Sequence, residues 1–258
     1  MNATEPIRRP PPDFRIGAVV AAEPVTPRLR RVTLAGEALV GFPVPEPAAS
    51  LRLLLPEPAG LVLPTWTGNE FLLPDGRRPV LRTFTPVAVD PTAGRITIDV
   101  VLHGAGPAAD WAAHARPGDP VAVSGPGRGW TPPPGARSFV LGGDESAVPA
   151  LRQVLAALPA DATASVVVEV DHPDARHDLG APDARIEWLV RPADANRGDA
   201  LVAAITAHPD APDTAWWVAG EAATVQRIRV ALFRERGVDR ARASVRGYWK
   251  RGAAGDAD

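Results

Sequence analysis

Short apolar runs rich in valine, leucine and threonine recur through the first half of the chain, separated by turns that contain proline and glycine. These runs cover residues 16–22, 29–34, 51–55, 80–89, 96–102 and 121–124. The clearest strand, 95–102, is β-branched and alternates apolar with polar residues at its start. Regularly spaced runs of this kind predict antiparallel β structure, as in a barrel.

The pattern changes after the segment 130–135, whose prolines and closing glycine are a strong linker signal. Strand-like runs at 139–141, 165–170, 186–190, 215–219 and 244–246 then alternate with helical stretches at 147–157, 199–207 and 222–236. Such alternation predicts βαβ units and a parallel sheet. We therefore predict a β + α/β fold with a flexible tail at 1–13, an antiparallel β-barrel domain at 14–130 and an α/β domain of the nicotinamide-binding type at 136–258.

Composition narrows the class of protein. The 258 residues carry a formal net charge of −2, which lacks the basic surplus that nucleic-acid binding requires. Because there is no cysteine, the chain itself can hold no disulfide, zinc thiolate site or iron–sulfur cluster. The first apolar stretch, 16–22, is too short for a secretory core or a membrane span, so we expect a cytoplasmic protein without membrane insertion.

The first candidate site is the tetrapeptide Arg82-Thr-Phe-Thr85, in a predicted strand. The guanidinium of Arg82 offers a rigid fork of donors to a phosphate. Phe84 lies two residues further on and therefore on the same strand face, where its ring can lie against another ring. Thr85 supplies a hydroxyl that can bond a ring nitrogen or the sugar chain of a cofactor. The alternative interpretation is an ordinary strand with one exposed arginine.

A second candidate follows the clearest strand. His103 stands at the end of that strand, Gly104 and Gly106 permit a tight turn, and Pro107 suits the first position of a helix. A glycine-rich turn that leads into a helix leaves backbone N–H groups aimed at an anion, so a pyrophosphate fits there. The same residues match a Rossmann Gly-x-Gly-x-x-Ala pattern, but they lie among barrel-like strands rather than in a βαβ unit. The alternative role of His103 is to cap the strand end.

Three further candidates lie where strands of the second half end. Asp144 and Glu145 precede a helix. Because two carboxylates repel phosphates, this turn is not a P-loop. The alternative role of the two residues is to cap the helix. Gly220 and Glu221 stand at the carboxyl end of another strand, the edge at which open α/β sheets bind ligands. The segment 246–252 combines aromatic rings with cations, and its alternative role is to anchor the C-terminus.

In this order, the five segments resemble the siderophore-interacting protein family, flavin reductases within the ferredoxin–NADP reductase superfamily. Arg82-Thr-Phe-Thr85 is similar to the family's Arg-x-Tyr-Thr flavin motif, and 101–111 is similar to its His-Gly-x-Gly-Pro-Ala-x-x-Trp segment. The stretch 143–150 is similar to Gly-Asp-Glu-Thr-Ala-x-Pro-Ala, and 219–221 and 247–250 resemble its two C-terminal signatures. The resemblance therefore covers nearly the whole chain.

The resemblance implies FAD bound by the barrel domain, with NADH, NADPH or reduced ferredoxin as electron donor and a ferric siderophore as acceptor. The resemblance implies that Arg82 binds the flavin phosphates, Phe84 lies at the ring and Thr85 bonds a polar flavin atom, with Thr83 and Asp99 also among the cofactor-binding residues. Around the pyrophosphate and adenine it implies His103, Gly106, Pro107 and Ala108. On the nicotinamide side it implies Asp144, Glu145, Gly220 and Glu221. A small basic cluster of Arg128, Arg246 and Lys250 is expected to draw in the anionic siderophore.

Two departures from the family pattern concern the flavin. Phe84 replaces the usual tyrosine and loses a hydroxyl, which weakens flavin binding by about 0.5–1.5 kcal/mol, the contribution of one hydrogen bond. Val87 stands where many members carry a second arginine, so that contact with an anion is absent. Neither change forbids FAD.

The implied reaction needs no acidic or basic side chain and no protein metal site. A donor reduces FAD, which passes electrons singly to iron(III), and because siderophore oxygens hold iron(III) far better than iron(II), the metal is released. Two alternatives stay open: a general flavin or quinone reductase on the same fold, and a flavin-free siderophore-binding protein, which the residues at 84 and 87 permit.

Overall fold

The strands of the first half form one antiparallel sheet beside a small hairpin. The computed structural model describes residues 11–102 and 106–252 of the chain. The strands are β1 (Arg15–Thr26), β2 (Leu29–Ala35), β3 (Leu51–Leu54), β4 (Thr65–Trp66), β5 (Phe71–Leu72), β6 (Leu81–Phe84), β7 (Pro86–Asp90), β8 (Arg95–Val101) and β9 (Pro120–Ser124). The seven-stranded sheet has the order β6-β3-β9-β1-β2-β8-β7, and β4 pairs with β5 alone.

This sheet curls into a half-barrel. Its two outermost strands, β6 and β7, are consecutive in the chain and are separated by Thr85 alone. A flat sheet would hold these two edges far apart, because neighbouring strands lie about 4.7–4.9 Å from each other. The sheet therefore has to bend round until its edges meet at Thr85, which confirms the antiparallel barrel-like arrangement that the sequence predicted.

The interior of the half-barrel is filled by alternating side chains of neighbouring strands. Val32 and Leu34 of β2 and Ile96, Ile98 and Val100 of β8 are all buried. Each buried side chain of this size stabilises the fold by about 1.5–3 kcal/mol relative to an exposed one. The period of two along both strands is the pattern that predicted them.

The second half is a parallel sheet covered by helices on both faces. Its strands are β10 (Ser138–Asp144), β11 (Thr163–Val170), β12 (Arg185–Val190), β13 (Thr214–Glu221) and β14 (Ala243–Trp249), in the order β12-β11-β10-β13-β14, and its helices are α2 (Val148–Ala156), α3 (Asp199–Ala207) and α4 (Ala222–Arg229). The helix α1 (Pro107–His114) belongs to the first half. All four strand pairs are parallel, so the predicted α/β architecture is confirmed.

Each face of the parallel sheet has its own apolar core. Leu151 and Val154 of α2 pack on one face. Ile205 of α3 and Ile228 of α4 pack on the other. The central strand β13 lies between the two cores and is buried along its whole length, as a strand covered on both faces must be.

The two halves pack directly against each other. Trp130, just before the proline-rich segment, meets Phe139 of β10 edge to face with ring centroids 6.3 Å apart. Gln153 of α2 accepts a hydrogen bond from the Ala48 backbone N–H at 2.8 Å and donates one to the Pro86 carbonyl at 2.5 Å. The domain limits at 14–130 and 136–258 stay predictions.

Two predicted elements differ in detail from the structure. The apolar run 80–89 is two strands rather than one, because the chain passes from one sheet edge to the other at Thr85. The predicted helix 222–236 changes at Val230 into a π-helical segment, Val230–Glu235. None of the helices in the described part of the chain is long and apolar enough to span a membrane.

Candidate functional site

A cavity of about 500 Å³ lies between the half-barrel and the parallel sheet, and we call it the main cavity. Its size is within the range of small-molecule and cofactor sites. The predicted cofactor residues on its wall are Arg82, Thr83, Phe84, Thr85, Asp99, Gly106, Pro107, Ala108 and Glu145, and Lys250 also lines it. These residues come from β6, β8, α1, the turn after β10 and the segment after β14, so the fold brings together sequence segments that are far apart.

The β6 side of the main cavity carries an unsatisfied polar atom. Thr85 is buried, and its Oγ1 has no hydrogen-bond partner among the residues that the structure describes. An unsatisfied buried hydroxyl is costly, so a ligand atom at this place would relieve the penalty. Beside it, Arg82 Nη1 donates to the Leu81 carbonyl at 2.6 Å, which holds the guanidinium against the cavity wall.

The N-terminus of α1 forms another part of the same wall. The helix begins at Pro107 after Gly106, and within the described chain no side chain caps it. Its first backbone N–H groups therefore remain available to an anion, and the helix dipole adds a partial positive charge. The predicted pyrophosphate contacts of Gly106, Pro107 and Ala108 are on the cavity wall, whereas His103 and Gly104 lie outside the described residues.

Asp99 faces the main cavity from β8 but is held by a structural ion pair. Arg31 of the neighbouring strand donates through Nε and Nη2 to its two carboxylate oxygens, both at 2.8 Å. This hydrogen bonding raises the pKa of Arg31. Asp99 therefore fixes the β2–β8 pairing at the cavity wall.

A second cavity of about 330 Å³, which we call the basic cavity, adjoins the first across a shared wall. Thr83, Phe84, Thr85 and Tyr248 line both cavities. Burial raises the pKa of the Tyr248 phenol. The nearby Thr85 hydroxyl and the Arg246 guanidinium both act against this rise. The Thr85 and Tyr248 hydroxyls nevertheless do not reach hydrogen-bonding geometry. Tyr248 also packs edge to face on Trp217, so this part of the wall is fixed from behind.

Two arginines give the basic cavity its positive charge. Arg52 of β3 and Arg246 of β14 both line it, together with Ser50 and Ser124. Arg246 Nη1 lies 3.3 Å from the Arg128 carbonyl and Nη2 lies 3.4 Å from the Gly129 carbonyl, so the backbone of that loop holds its guanidinium.

The structure does not bring the three predicted siderophore residues into one cluster. Arg246 lines the basic cavity, but Lys250 lies on the wall of the main cavity. The side chain of Arg128 is exposed and belongs to neither wall, although its carbonyl holds Arg246. Arg52 is the cation that sequence reasoning missed.

A third cavity of about 400 Å³, which we call the donor groove, runs along the carboxyl ends of β10, β11 and β12. Asp171, just after β11, binds Arg191 at 2.9 Å and Arg197 at 2.5 Å. Burial acts against ionisation of this carboxyl group, but the two guanidiniums prevail and hold the pKa of Asp171 below its usual range. The two arginines are therefore fixed in place on the groove wall.

Asp144 and Glu145 face the donor groove and also brace the turns around it. Asp144 Oδ1 accepts from the Ser146 backbone N–H at 2.9 Å, and its Oδ2 accepts from the Glu221 backbone N–H at 2.8 Å. Glu145 Oε1 accepts from the Asp171 backbone N–H at 2.9 Å. The capping role that the sequence left open for Asp144 is thus present in the structure.

Gly220 and Glu221 lie behind this wall. Both are buried, and neither lines the three cavities in the described part of the chain. Gly220 has φ 152°, and a Cβ there would stand 2.7 Å from Asp144 Oδ2, so only glycine admits the carboxylate. Glu221 caps α4 by accepting from the Thr224 backbone N–H at 2.9 Å.

Trp249 separates the main cavity from the donor groove, because it lines both. Its Nε1 donates to Asp144 Oδ2 at 2.8 Å, and the Arg197 guanidinium lies over its ring at 5.5 Å from the centroid. A register irregularity opposite Gly220 and Glu221 lets Trp249 follow Tyr248 onto the cavity side. The sequence identified the segment 246–252 as a candidate site, with anchoring of the C-terminus as the alternative, but assigned no separate role to Trp249.

Comparison with known proteins identifies the family of this chain. The family model described as the siderophore-interacting FAD-binding domain matches residues 18–130, and the model described as siderophore-interacting protein matches residues 136–252. The ferric vibriobactin reductase ViuB of Vibrio cholerae is 34% identical over 239 residues, which are 88% of this chain and 86% of the relative. The NADPH-dependent ferric-chelate reductase of Escherichia coli is 32% identical over 241 residues, 92% of each chain.

Solved structures agree with these relatives. A siderophore utilization protein from T. fusca superposes with a TM-score of 0.83 at 35% identity, covering 97% of both chains. A ferredoxin NADP+ reductase from Neisseria gonorrhoeae, at 14% identity and a TM-score of 0.65 over 92% of this chain and 99% of its own, shares the fold alone. The chain therefore belongs to the siderophore-interacting protein family and has the architecture of a flavin-dependent oxidoreductase.

Proposed function

We propose that this protein is an FAD-dependent reductase of ferric siderophores. The observation that carries the proposal is the shared wall: Phe84, Thr85 and Tyr248 face the main cavity on one side and the arginine-lined basic cavity on the other. Only this wall would separate a cofactor in the main cavity from an anionic iron complex in the basic cavity. Electrons could therefore pass from the cofactor to the iron through the wall.

The main cavity fits FAD on its own chemistry. The uncapped start of α1 and Arg82 would hold the pyrophosphate. Phe84 would lie against the ring system, and the unsatisfied Thr85 hydroxyl would bond a polar ring atom. Lys250 would add a cation to the same cavity. When bound, FAD accepts electrons in pairs and releases them singly, which is the chemistry that iron(III) requires.

The basic cavity suits an anionic ferric siderophore. Arg52 and Arg246 present two guanidiniums, and Ser50 adds a hydroxyl. Cations attract an anionic complex from solution and hold it at the wall. Because siderophore oxygens bind iron(II) much less firmly than iron(III), reduction of the complex loosens the metal without a protein metal ligand.

The donor groove suits a nicotinamide dinucleotide. It lies at the carboxyl edge of a parallel sheet, where ligands of α/β folds bind, and it ends at Trp249 beside the main cavity. Arg191 and Arg197 would meet the phosphates of the donor. The NADPH dependence of the Escherichia coli relative supports a nicotinamide donor here, and reduced ferredoxin is the alternative donor.

Substitution of the two arginines tests the acceptor site. In Arg52→Gln and Arg246→Gln, we expect the KM for an anionic ferric triscatecholate to rise by about fivefold or more, since each variant loses a charge-assisted contact. The KM for a neutral ferric trishydroxamate should change little. Steady-state reduction with a ferrous-iron indicator measures both values.

Arg95→Gln is the matched control, because Arg95 is exposed at the start of β8 and lines none of the three cavities in the described chain. It should reduce both complexes as the wild type does. An unchanged triscatecholate KM in both cavity variants would remove the acceptor assignment.

A further inference from the structure

Glu169 is a buried carboxylate that the proposed reaction does not use. It is the next-to-last residue of β11 and is 1% exposed. Its Oε1 accepts from the Gly198 backbone N–H at 2.8 Å, and its Oε2 has no partner within the described chain. It lines none of the three cavities, so a direct role in binding a ligand does not explain it.

The contact with Gly198 replaces a missing helix cap. Helix α3 begins at Asp199, and its N-cap residue Gly198 has no side chain with which to cap it. Gly198 adopts a left-handed conformation with φ 81°, and a Cβ there would stand 2.2 Å from Thr224 Oγ1. Only glycine fits, so the cap has to come from another element, and Glu169 of β11 supplies it.

The capped residue adjoins Arg197. The side chain of Arg197 binds Asp171 at 2.5 Å and lies over Trp249, on the wall of the donor groove. The end of β11 therefore holds this arginine twice: Glu169 fixes the backbone next to it, and Asp171 fixes its guanidinium. Asp171 shares the groove wall with the arginine, whereas Glu169 lies outside that wall.

We infer that Glu169 is a positioning residue for the electron donor: by capping α3 it holds Arg197 at the place where the donor's phosphate would meet it. The inference rests on the proposed use of the groove by a nicotinamide dinucleotide. It adds a group outside the walls of the main cavity, the basic cavity and the donor groove, among the described residues, to the set that determines donor affinity.

Electrostatics separate this role from a purely structural one. Burial raises the pKa of Glu169, and the neighbouring Asp144 raises it further. The N–H groups of Gly198 and Leu201 and the Arg197 guanidinium lower this pKa, but the net shift is upward. A carboxyl whose pKa is raised on folding contributes stability below its unfolded pKa and loses it as pH rises through its folded pKa. Ionisation of Glu169 above its folded pKa therefore lowers the stability of the fold.

Glu169→Gln tests the inference. The amide keeps the shape and can still accept from the Gly198 N–H, but the hydrogen bond is no longer charge-assisted, so we expect the affinity for NADP+ or NAD+ to fall by about fivefold. The denaturant midpoint at neutral pH should not fall. Calorimetric titration of the FAD-loaded protein with each oxidised dinucleotide measures binding without turnover.

The matched control is Asp199→Asn, which removes a carboxylate at the start of the same helix. Asp199 pairs with Arg227 at 2.8 Å on the surface and lines none of the cavities in the described ranges. This variant should bind the dinucleotide as the wild type does. In the wild type, affinity should also rise with pH through the raised pKa of Glu169, and this step should be absent in Glu169→Gln.

The outcomes are distinct. Unchanged affinity in Glu169→Gln, or an affinity loss matched by a lower denaturant midpoint, would overturn the positioning role and leave the proposed function intact. A wild-type protein that binds neither dinucleotide, yet still carries FAD and reduces ferric siderophores with dithionite, would overturn the dinucleotide donor and this inference with it.

Discussion

Thr85 lies where the edges of the half-barrel sheet meet, and it also lines the candidate site. It is the single residue between β6 and β7, at the place where the edges of the half-barrel meet. The same position buries its hydroxyl at the wall between the main and basic cavities without a partner in the described chain. An unsatisfied polar group at a cavity wall indicates a ligand that satisfies it.

Thr85→Val should separate folding from cofactor binding. The substitution keeps the shape and removes the unsatisfied hydroxyl, so the stability of the FAD-free protein should not fall. The Kd for FAD should rise by about threefold to tenfold, the effect of one lost hydrogen bond. Fluorescence titration of the FAD-free protein with FAD gives this Kd.

Thr97→Val is the control for this substitution, because Thr97 pairs with Thr33 at 3.3 Å on the same sheet and lines none of the cavities among the described residues. Its FAD affinity should match the wild type. Equal Kd values for all three proteins would exclude the Thr85 contact with the cofactor.

At the residue scale, the sequence located groups whose neighbours along the chain define their chemistry. Arg82, Phe84 and Thr85 form one short motif, and Gly106 with Pro107 forms another; all five lie on the main cavity. The sequence pattern did not predict Arg52 as a site residue, because it is a single charge in the apolar strand Leu51-Arg-Leu-Leu54. It becomes a site residue only because β3 pairs with β6 opposite Thr83. Pairing between distant strands cannot be read from local pattern.

At the element scale, β10 depends on two glycines at its carboxyl end. A Cβ on Gly143 would stand 2.3 Å from the Ala219 carbonyl oxygen of β13 and 2.5 Å from Ala147 Cβ. The absence of side chains therefore lets the turn after β10 cross close over β13 and places Asp144 and Glu145 on the donor groove. The sequence showed the glycines, but the close approach follows from the sheet order.

Gly143→Ala should lower the free energy of unfolding by about 1–3 kcal/mol, because the new methyl group meets backbone that cannot move aside. Gly142→Ala is the natural comparison: its Cβ would stand 2.6 Å from Ile205 Cδ1, the flexible end of a side chain, and should cost less. Urea unfolding followed by circular dichroism ranks the two. The reverse order would contradict the packing described for β10.

Helix boundaries show the same limit of local pattern. The prediction 199–207 coincides with α3 because its apolar residues have helical period. The prediction 222–236 did not foresee the π-helical segment Val230–Glu235, since apolar period does not distinguish the two helix types. The break of 80–89 at Thr85 required knowledge of sheet closure, which no window of sequence contains.

At the scale of the whole molecule, the proposed site lies between the two halves. The main cavity takes walls from the half-barrel, the turn after β10 and the segment after β14, and the other two cavities adjoin it through Tyr248 and Trp249. Gln153 ties the halves together through Ala48 and Pro86, so the cavity keeps its shape. Fold class followed from the order of strands and helices, whereas this junction depends on contacts that only folding creates.

The central claim is that the main cavity holds FAD and delivers electrons to an iron complex in the adjoining cavity. The absorption spectrum of the purified, FAD-incubated and desalted protein tests it under anaerobic conditions. We predict the bands of oxidised flavin, bleached by one equivalent of NADPH or NADH and restored by two equivalents of ferric siderophore, with release of two equivalents of iron(II). A protein that stays colourless after incubation with FAD would contradict the account.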